Sequence, residues 1–484
     1  MGALKTTPLT GYEIELGAKM TPRAGWNTAL YYPEGIIAEH RHTRSACSVF
    51  DLCSYGKLRV AGKEAAPALD TLFARPAADL GIGRCRRNFM LSETGGVLSL
   101  VLMLRMAEDD FLLVTDTGSA VGDLERISAH IAGRDAEVQE LTPLLACLGL
   151  EGPEARKVLE SFAAGPLPEY SCCGTVEIDG FRAIAACAGA TGEEGFRLLF
   201  NLEYADQLWD LLLETEPVMP AGFGALDSLR LEMGYPACGR ELTAEFSPLD
   251  SGLGDLVRLD DARSFPGRQA LLNRKQRHVL TGLLLETRRA AREGTLVLNA
   301  AEEVVGVVTG GSFCPSLETA AALCRLDLAC MQPPGSELWC EVTDARLPGR
   351  IAEPPLSRRL GERRFFPAMK MLIFPLVLLG LVLLPGWPLL FRRWKHVYFL
   401  WIASTLFIVS LGAWSMVYFK LERNYARLAE AQAVEATRAA LAEGADPQEL
   451  ADALEKLEAG DEFEAATVRS RYRLWYEAVK EAAR

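Results

Sequence analysis

The chain has 484 residues, a formal net charge of −13 and 24% charged residues. That is long enough for two or more domains with sizeable cores, and too acidic for a nucleic-acid-binding surface, which needs a basic stripe. Twelve cysteines in this length fall short of disulfide density, none forms a C-x-x-C pair and no secretory signal opens the chain, so the thiols read as reduced, cytosolic and mostly core filler.

In chain order, residues 1 to about 355 read as a mixture of strands and helices. Helices are predicted at 62–73, 121–132 and 152–162, with Asp123 and Glu154 placing negative charge in first turns, where the helix dipole favours it. The Glu39-His40-Arg41-His42 stretch is the one cluster of metal-ligand type; it lacks a further partner at helical spacing, and no metal site is expected. Phe111-Leu112-Leu113-Val114 and Gly282-Leu283-Leu284-Leu285 read as strands. Two apolar runs, 181–188 and 196–202, flank Ala190-Thr191-Gly192-Glu193-Glu194-Gly195, and on pattern alone the carboxylates between those glycines are a solvated hairpin turn.

Strands interrupted by single helices, without regular β-α-β alternation, indicate an α+β class rather than a doubly wound sheet. From 274 to 342 the chain becomes short strands punctuated by Arg292-Glu293-Gly294, Gly306, Gly310-Gly311 and Pro333-Pro334-Gly335, which predicts a small C-terminal β-barrel. The predicted division is a main domain at 1–270, the barrel at 271–355 and a linker at 356–370.

The composition then breaks. Runs 371–391 and 397–419 carry no charge, and each is long enough to span a hydrocarbon core of roughly 30 Å as a helix. The short basic connection Arg392-Arg393-Trp394-Lys395-His396 makes them a transmembrane hairpin, and Trp394, Tyr398, Trp414 and Tyr418 lie where a headgroup interface favours them. Basic residues on both flanks place the termini in the cytoplasm, so the expectation is a cytoplasmic domain anchored through 371–419 to the cytoplasmic membrane, with an alanine- and glutamate-rich helical cytoplasmic tail at 420–484.

No G-x-S-x-G, P-loop, H-E-x-x-H or dinucleotide fingerprint is present, so chemistry must come from scattered acids and arginines. Ordered blocks supply a context for them. They include Thr7-Pro8-Leu9, Leu16-Gly17-Ala18-Lys19-Met20, Gly35-Ile36-Ile37-Ala38-Glu39-His40, Val49-Phe50-Asp51, Gly95-Gly96-Val97, Thr191-Gly192-Glu193-Glu194-Gly195-Phe196, Asp227-Ser228-Leu229-Arg230-Leu231-Glu232-Met233-Gly234, Ser251-Gly252-Leu253-Gly254 and Gly306 to Leu317. In these blocks, residues from about 7 to 353 resemble the aminomethyltransferase, or T-protein, of the glycine cleavage system and its tetrahydrofolate-binding relatives. The hairpin and tail are not part of the resemblance.

The resemblance implies a folate-binding α+β fold with its small barrel. It also implies transfer of a one-carbon aminomethyl unit from a lipoylated H-protein to tetrahydrofolate. Glu193 matches the family's pterin glutamate, a carboxylate suited to two N–H bonds from an amino-pyrimidine edge. Arg230 matches a motif position suited to folate carboxylates, with an ion pair as its other reading. Where the family carries two aspartates and its catalytic acid, this chain has Ser99 and Leu100. Arg87 stands in place of an aromatic residue, and Asp116 in place of an asparagine. Asp116 is the candidate to supply the missing acid, its other reading being a turn residue before Thr117-Gly118. The alternative function is a membrane-tethered folate-binding or interaction module without the transfer chemistry.

Overall fold

The computed structural model describes residues 3–343 and 345–356. The predicted transmembrane hairpin and helical tail lie outside the described residues; among the described residues, no helix is long and apolar enough to cross a membrane.

Three β-structures organise the described chain. A seven-stranded sheet runs in the order Ala163–Ala164, Cys173–Ile178, Phe181–Cys187, Gly195–Asn201, Leu145–Glu151, Cys47–Asp51 and Val218–Pro220, antiparallel except for its last pair. A five-stranded antiparallel sheet has the order Cys85–Leu91, Val97–Ala107, Asp110–Thr115, Gly56–Ala61 and Glu137–Glu140. Strands from His278 to Ala352 close the barrel. Two of the predicted helices appear in shorter form, as Ala65–Asp70 and Ala155–Glu160, and the third appears at Ala120–Ile131, one residue earlier than predicted.

Both sheets are covered on both faces, which explains their nearly unbroken apolar runs. On its outer face the seven-stranded sheet packs Phe196, Leu198 and Phe200 with Leu208, Trp209 and Leu212 of helix Ala205–Leu213. The five-stranded sheet packs Val101, Met103 and Leu113 with Ile127 and Ile131 of helix Ala120–Ile131. The inner faces meet each other: Phe50, Leu52, Cys147 and Leu199 of one sheet contact a common core with Leu102, Leu104, Leu112 and Val114 of the other.

Helix Phe223–Glu232 sits where these parts converge. Ala225, Leu226 and Leu229 enter the core between the sheets, whereas Leu231 packs on Ala321 and Leu323 of the barrel wall. It is buried on several sides, and because Ser228, Arg230 and Glu232 are buried along with its apolar residues, their polar groups require partners inside the protein. Beneath its start, a small space is lined by Glu13, Asp51, Ala221, Gly222 and Phe223.

Glu13 is 2% exposed; its Oε1 accepts from the Tyr32 hydroxyl at 3.2 Å and its Oε2 has no protein partner. Burial, followed by the negative charge of Asp51, pushes the Glu13 carboxyl up to about 8. The unfolded chain releases that proton near the ordinary value of 4.5, so the folded state binds the proton more tightly and loses stability as pH rises from about 4.5 through about 8. Glu13→Gln should flatten the fall in thermal midpoint across that window; an unchanged slope would refute the assignment.

Candidate functional site

The predicted hairpin is longer and more buried than a solvated turn. Its strands stop at Cys187 and resume at Gly195, and Thr191 in the loop between them is fully buried. The cause lies in Glu151, at the end of the neighbouring strand and fully buried. Its Oε2 accepts the backbone N–H of Ala190 and Thr191, each at 2.9 Å, and the Thr191 hydroxyl at 2.7 Å, while Oε1 accepts from Arg197 Nη1. Burial pushes the Glu151 carboxyl upward, but the Arg197 charge and these donors outweigh it and hold it below the usual carboxylate range.

The loop is closed from the other side by Arg44, in the last turn of helix Ile36–Ser45. Its guanidinium donates to Thr191 O at 2.6 Å, Leu229 O at 3.2 Å and Glu232 Oε2 at 3.1 Å, and lies 3.4 Å from Glu193 Oε1. A planar fork of donors suits this use, because one side chain can bind two carboxylates and two carbonyls at fixed angles. The Glu193 side chain is 4% exposed. Gly192 has φ +91°, and a Cβ there would lie 2.4 Å from Met233 Sδ, so both conformation and space require glycine.

Glu232 anchors Arg44 in turn. It is fully buried and also accepts the Ser316 N–H at 3.0 Å. Burial raises its carboxyl, but contacts with His40 and Arg44 prevail and lower it. His40 Nδ1 lies 2.7 Å from Ser228 Oγ, whose hydroxyl donates to Ala225 O. His40 Nε2 lies 3.2 Å from Glu232 Oε2, so the ring bridges Ser228 and Glu232.

Arg230, on another face of helix Phe223–Glu232, is tied to Asp227 Oδ1 at 2.8 Å, Glu241 Oε2 at 3.1 Å and Tyr235 O at 2.9 Å. Arg230 thus makes two ion pairs within the protein. Two buried atoms of this cluster, Arg230 Nη2 and Glu241 Oε1, have no hydrogen-bond partner. Both border Gly310, where a Cβ would approach them at 3.6 and 3.0 Å. An unmatched donor beside an unmatched acceptor leaves hydrogen-bonding capacity for a polar group.

Asp116 behaves as a turn residue and more. Its Oδ1 accepts the Gly118 N–H at 3.0 Å, and its Oδ2 pairs with Arg23 Nη2 at 2.9 Å. The Arg23 guanidinium lies over the Phe223 ring, 4.3 Å from its centroid. This places Asp116 and Arg23 beside the start of the helix that carries Arg230 and Glu232.

Ser99 and Leu100 face opposite ways, as the two-residue strand period requires. Ser99 lies across from Met90 and donates to Asp123 Oδ2 at 2.6 Å, against helix Ala120–Ile131. Burial pushes Asp123 up to about 6, opposed by hydrogen bonds from Ser99 and Ser119. Leu100 lies across from Phe89 on the other face and packs with it. The half-buried Cys238 thiol hydrogen-bonds the Leu100 backbone, and desolvation followed by the charge of Asp116 pushes it upward.

The Glu39-His40-Arg41-His42 stretch forms no ligand set. Glu39 accepts from the backbone of Tyr32 and Gly222, His40 faces Ser228, and His42 contacts Pro217 O. Among the described residues, no group of three His, Cys, Asp or Glu side chains is arranged to hold a metal ion.

Sequence reasoning missed Arg44, Glu151 and Glu232. One signal was available. Arg197 stands inside the apolar run Phe196 to Phe200, and a charge in a strand covered on both faces requires a buried partner.

A family model for the GCVT N-terminal domain matches residues 9–261. The aminomethyltransferase of Rubrobacter xylanophilus is 36% identical over 365 residues, covering 74% of this chain and 95% of that protein. That of Saccharopolyspora erythraea is 32% identical over 367 residues, covering 74% of this chain and 100% of that protein. The crystal structure of glycine cleavage system aminomethyltransferase T from Bartonella henselae matches with a TM-score of 0.69 and 30% identity, over 73% of this chain and 98% of that one.

Proposed function

The chain belongs to the aminomethyltransferase, or T-protein, family of the glycine cleavage system, and from that membership we propose that it transfers an aminomethyl unit from a lipoylated H-protein to tetrahydrofolate. The observation that carries the folate reading is the fixed Glu193 carboxylate, held in a loop clamped by Glu151 and Arg44. A carboxylate so placed matches the paired N–H groups of a pterin. The unmatched Arg230 Nη2 and Glu241 Oε1 fit a polar ligand as well. When bound, folate supplies the nitrogen that takes the carbon as ammonia and the dihydrolipoyl arm leave. Glu193 would orient the ring, and Arg230 would supply a cationic donor.

The acid is the part of the reading specific to this chain. On the face where Leu100 packs against Phe89, Leu100 itself offers no carboxylate. Ser99 is turned the other way and already occupied by Asp123. Asp116, paired with Arg23 beside the start of helix Phe223–Glu232, is the acid we assign to proton handling. Asp116→Asn should lower turnover about 100- to 10,000-fold in an assay with H-protein and tetrahydrofolate, the range that one general acid or base supplies. Unchanged turnover would remove Asp116 from the reaction. The overall reading is tested by calorimetric titration with tetrahydrofolate beside that assay; absence of binding refutes it, and binding without turnover refutes the transfer step alone.

A further inference from the structure

Four cysteines gather where the two sheets adjoin. The Cys85 N–H donates to Ser171 O at 2.9 Å, and the Cys173 N–H to Gly83 O at 2.8 Å, so an edge of the five-stranded sheet is joined to strand Cys173–Ile178. Along that strand the register sets Val176 opposite Ala183 and Cys173 opposite Ala186. One residue further, Cys172 stands opposite Cys187, whose N–H donates to Cys172 O at 3.0 Å.

The strand period settles which way these two side chains face. Val176, Ile178, Ala183, Ala185 and Cys187 all enter the outer core, so Cys172 shares their side, whereas Cys173 and Ala186 enter the core between the sheets. Directly opposed residues have Cα atoms about 4.5–5.5 Å apart, inside the span of about 4.4–6.8 Å that a disulfide accepts. Ser171, at φ +60°, donates its N–H to Cys187 O and forms a bulge immediately before Cys172.

The two thiols are not equivalent. Cys172 is half-buried, within reach of solvent, and its sulfur accepts from Arg84 Nη1 at 2.9 Å. Cys187 is buried, and burial pushes its thiol up to about 11. The first is arranged to attack, the second to resolve.

We propose that Cys172 and Cys187 form a reversible disulfide when the protein meets a peroxide. The Cys172 sulfur attacks a peroxide oxygen, breaking the O–O bond and giving a sulfenic acid and one water. The Cys187 sulfur then attacks the sulfenic sulfur; its proton and the departing hydroxide leave as a second water. Two thiol hydrogens are lost, the two sulfurs are oxidised and hydrogen peroxide is reduced to two waters. The bond would pin the base of the loop at 188–194, which begins directly after Cys187.

The test is hydrogen peroxide treatment of the full-length protein, followed by intact mass measurement and peptide mapping. The expected result is loss of two hydrogens, a Cys172–Cys187 linked peptide and reversal by dithiothreitol. Cys172→Ser should abolish the link, and Cys187→Ala should leave a sulfenic acid at Cys172 that dimedone traps. No linkage in the wild-type protein, or a link that maps to Cys85–Cys173 or Cys172–Cys173, overturns the proposal. The readout needs no folate, so it stands or falls separately from the transfer reaction.

Discussion

Glu193→Gln is expected to weaken tetrahydrofolate binding about 10- to 100-fold, the loss that follows when a hydrogen bond to a charged group worth about 1.5–3 kcal/mol is replaced by a neutral one. The amide keeps the size of the side chain but presents one oxygen where the carboxylate presented two, and its N–H groups face donors. Arg44 would still hold Thr191 O and Glu232, so the loop should remain in place. The effect should therefore appear in the dissociation constant measured by calorimetry and not in the thermal midpoint. Glu194 is the natural control. It is paired with Arg156 at 2.7 Å, and Glu194→Gln should leave binding within about twofold. Equal losses from both variants would mean that the loop responds only to net charge, and Glu193 would lose its assignment.

The largest stability effect is expected from Glu151→Ala. The change removes the acceptor of three loop donors and leaves Arg197, whose side chain is 6% exposed, without its ion-pair partner. Breaking a buried pair by deleting one member costs about 3–5 kcal/mol, chiefly because the remaining charge stays buried and uncompensated. Denaturant midpoints should show it. The double change of Glu151→Leu with Arg197→Met should recover part of the loss, because an apolar pair avoids the desolvation of both ions. A single-variant loss below about 1 kcal/mol would show that the pair is not a support of the loop.

The parts of the fold that were legible in the sequence are those set by local patterns. The helix predicted at 121–132 is present at Ala120–Ile131, and the strands around Phe111 and Leu283 formed where apolar runs marked them. The turn punctuation between 274 and 342 led to a closed barrel. What local pattern misjudged was the loop holding Glu193. Its glycines are turn residues in sequence, yet its burial depends on Glu151 and Arg44, distant residues brought beside it by sheet and helix packing. A charge that is satisfied only in three dimensions leaves no periodic trace. The Ser99 and Leu100 pair shows the opposite case, since alternation along a strand suffices to predict that the two side chains diverge.

Helix Phe223–Glu232 has a mechanical consequence. Ser228 and Glu232 reach toward His40 and Arg44, and hence toward Glu193, while Asp227 and Arg230 reach toward Glu241 and the barrel glycine at 310. One rigid axle thus carries two sets of fingers. Any roll of the helix that improved the grip of one set would displace the other, so the two sets cannot be tuned independently. Substitutions on the two sides should accordingly combine non-additively, with coupling larger than their lack of direct contact would suggest.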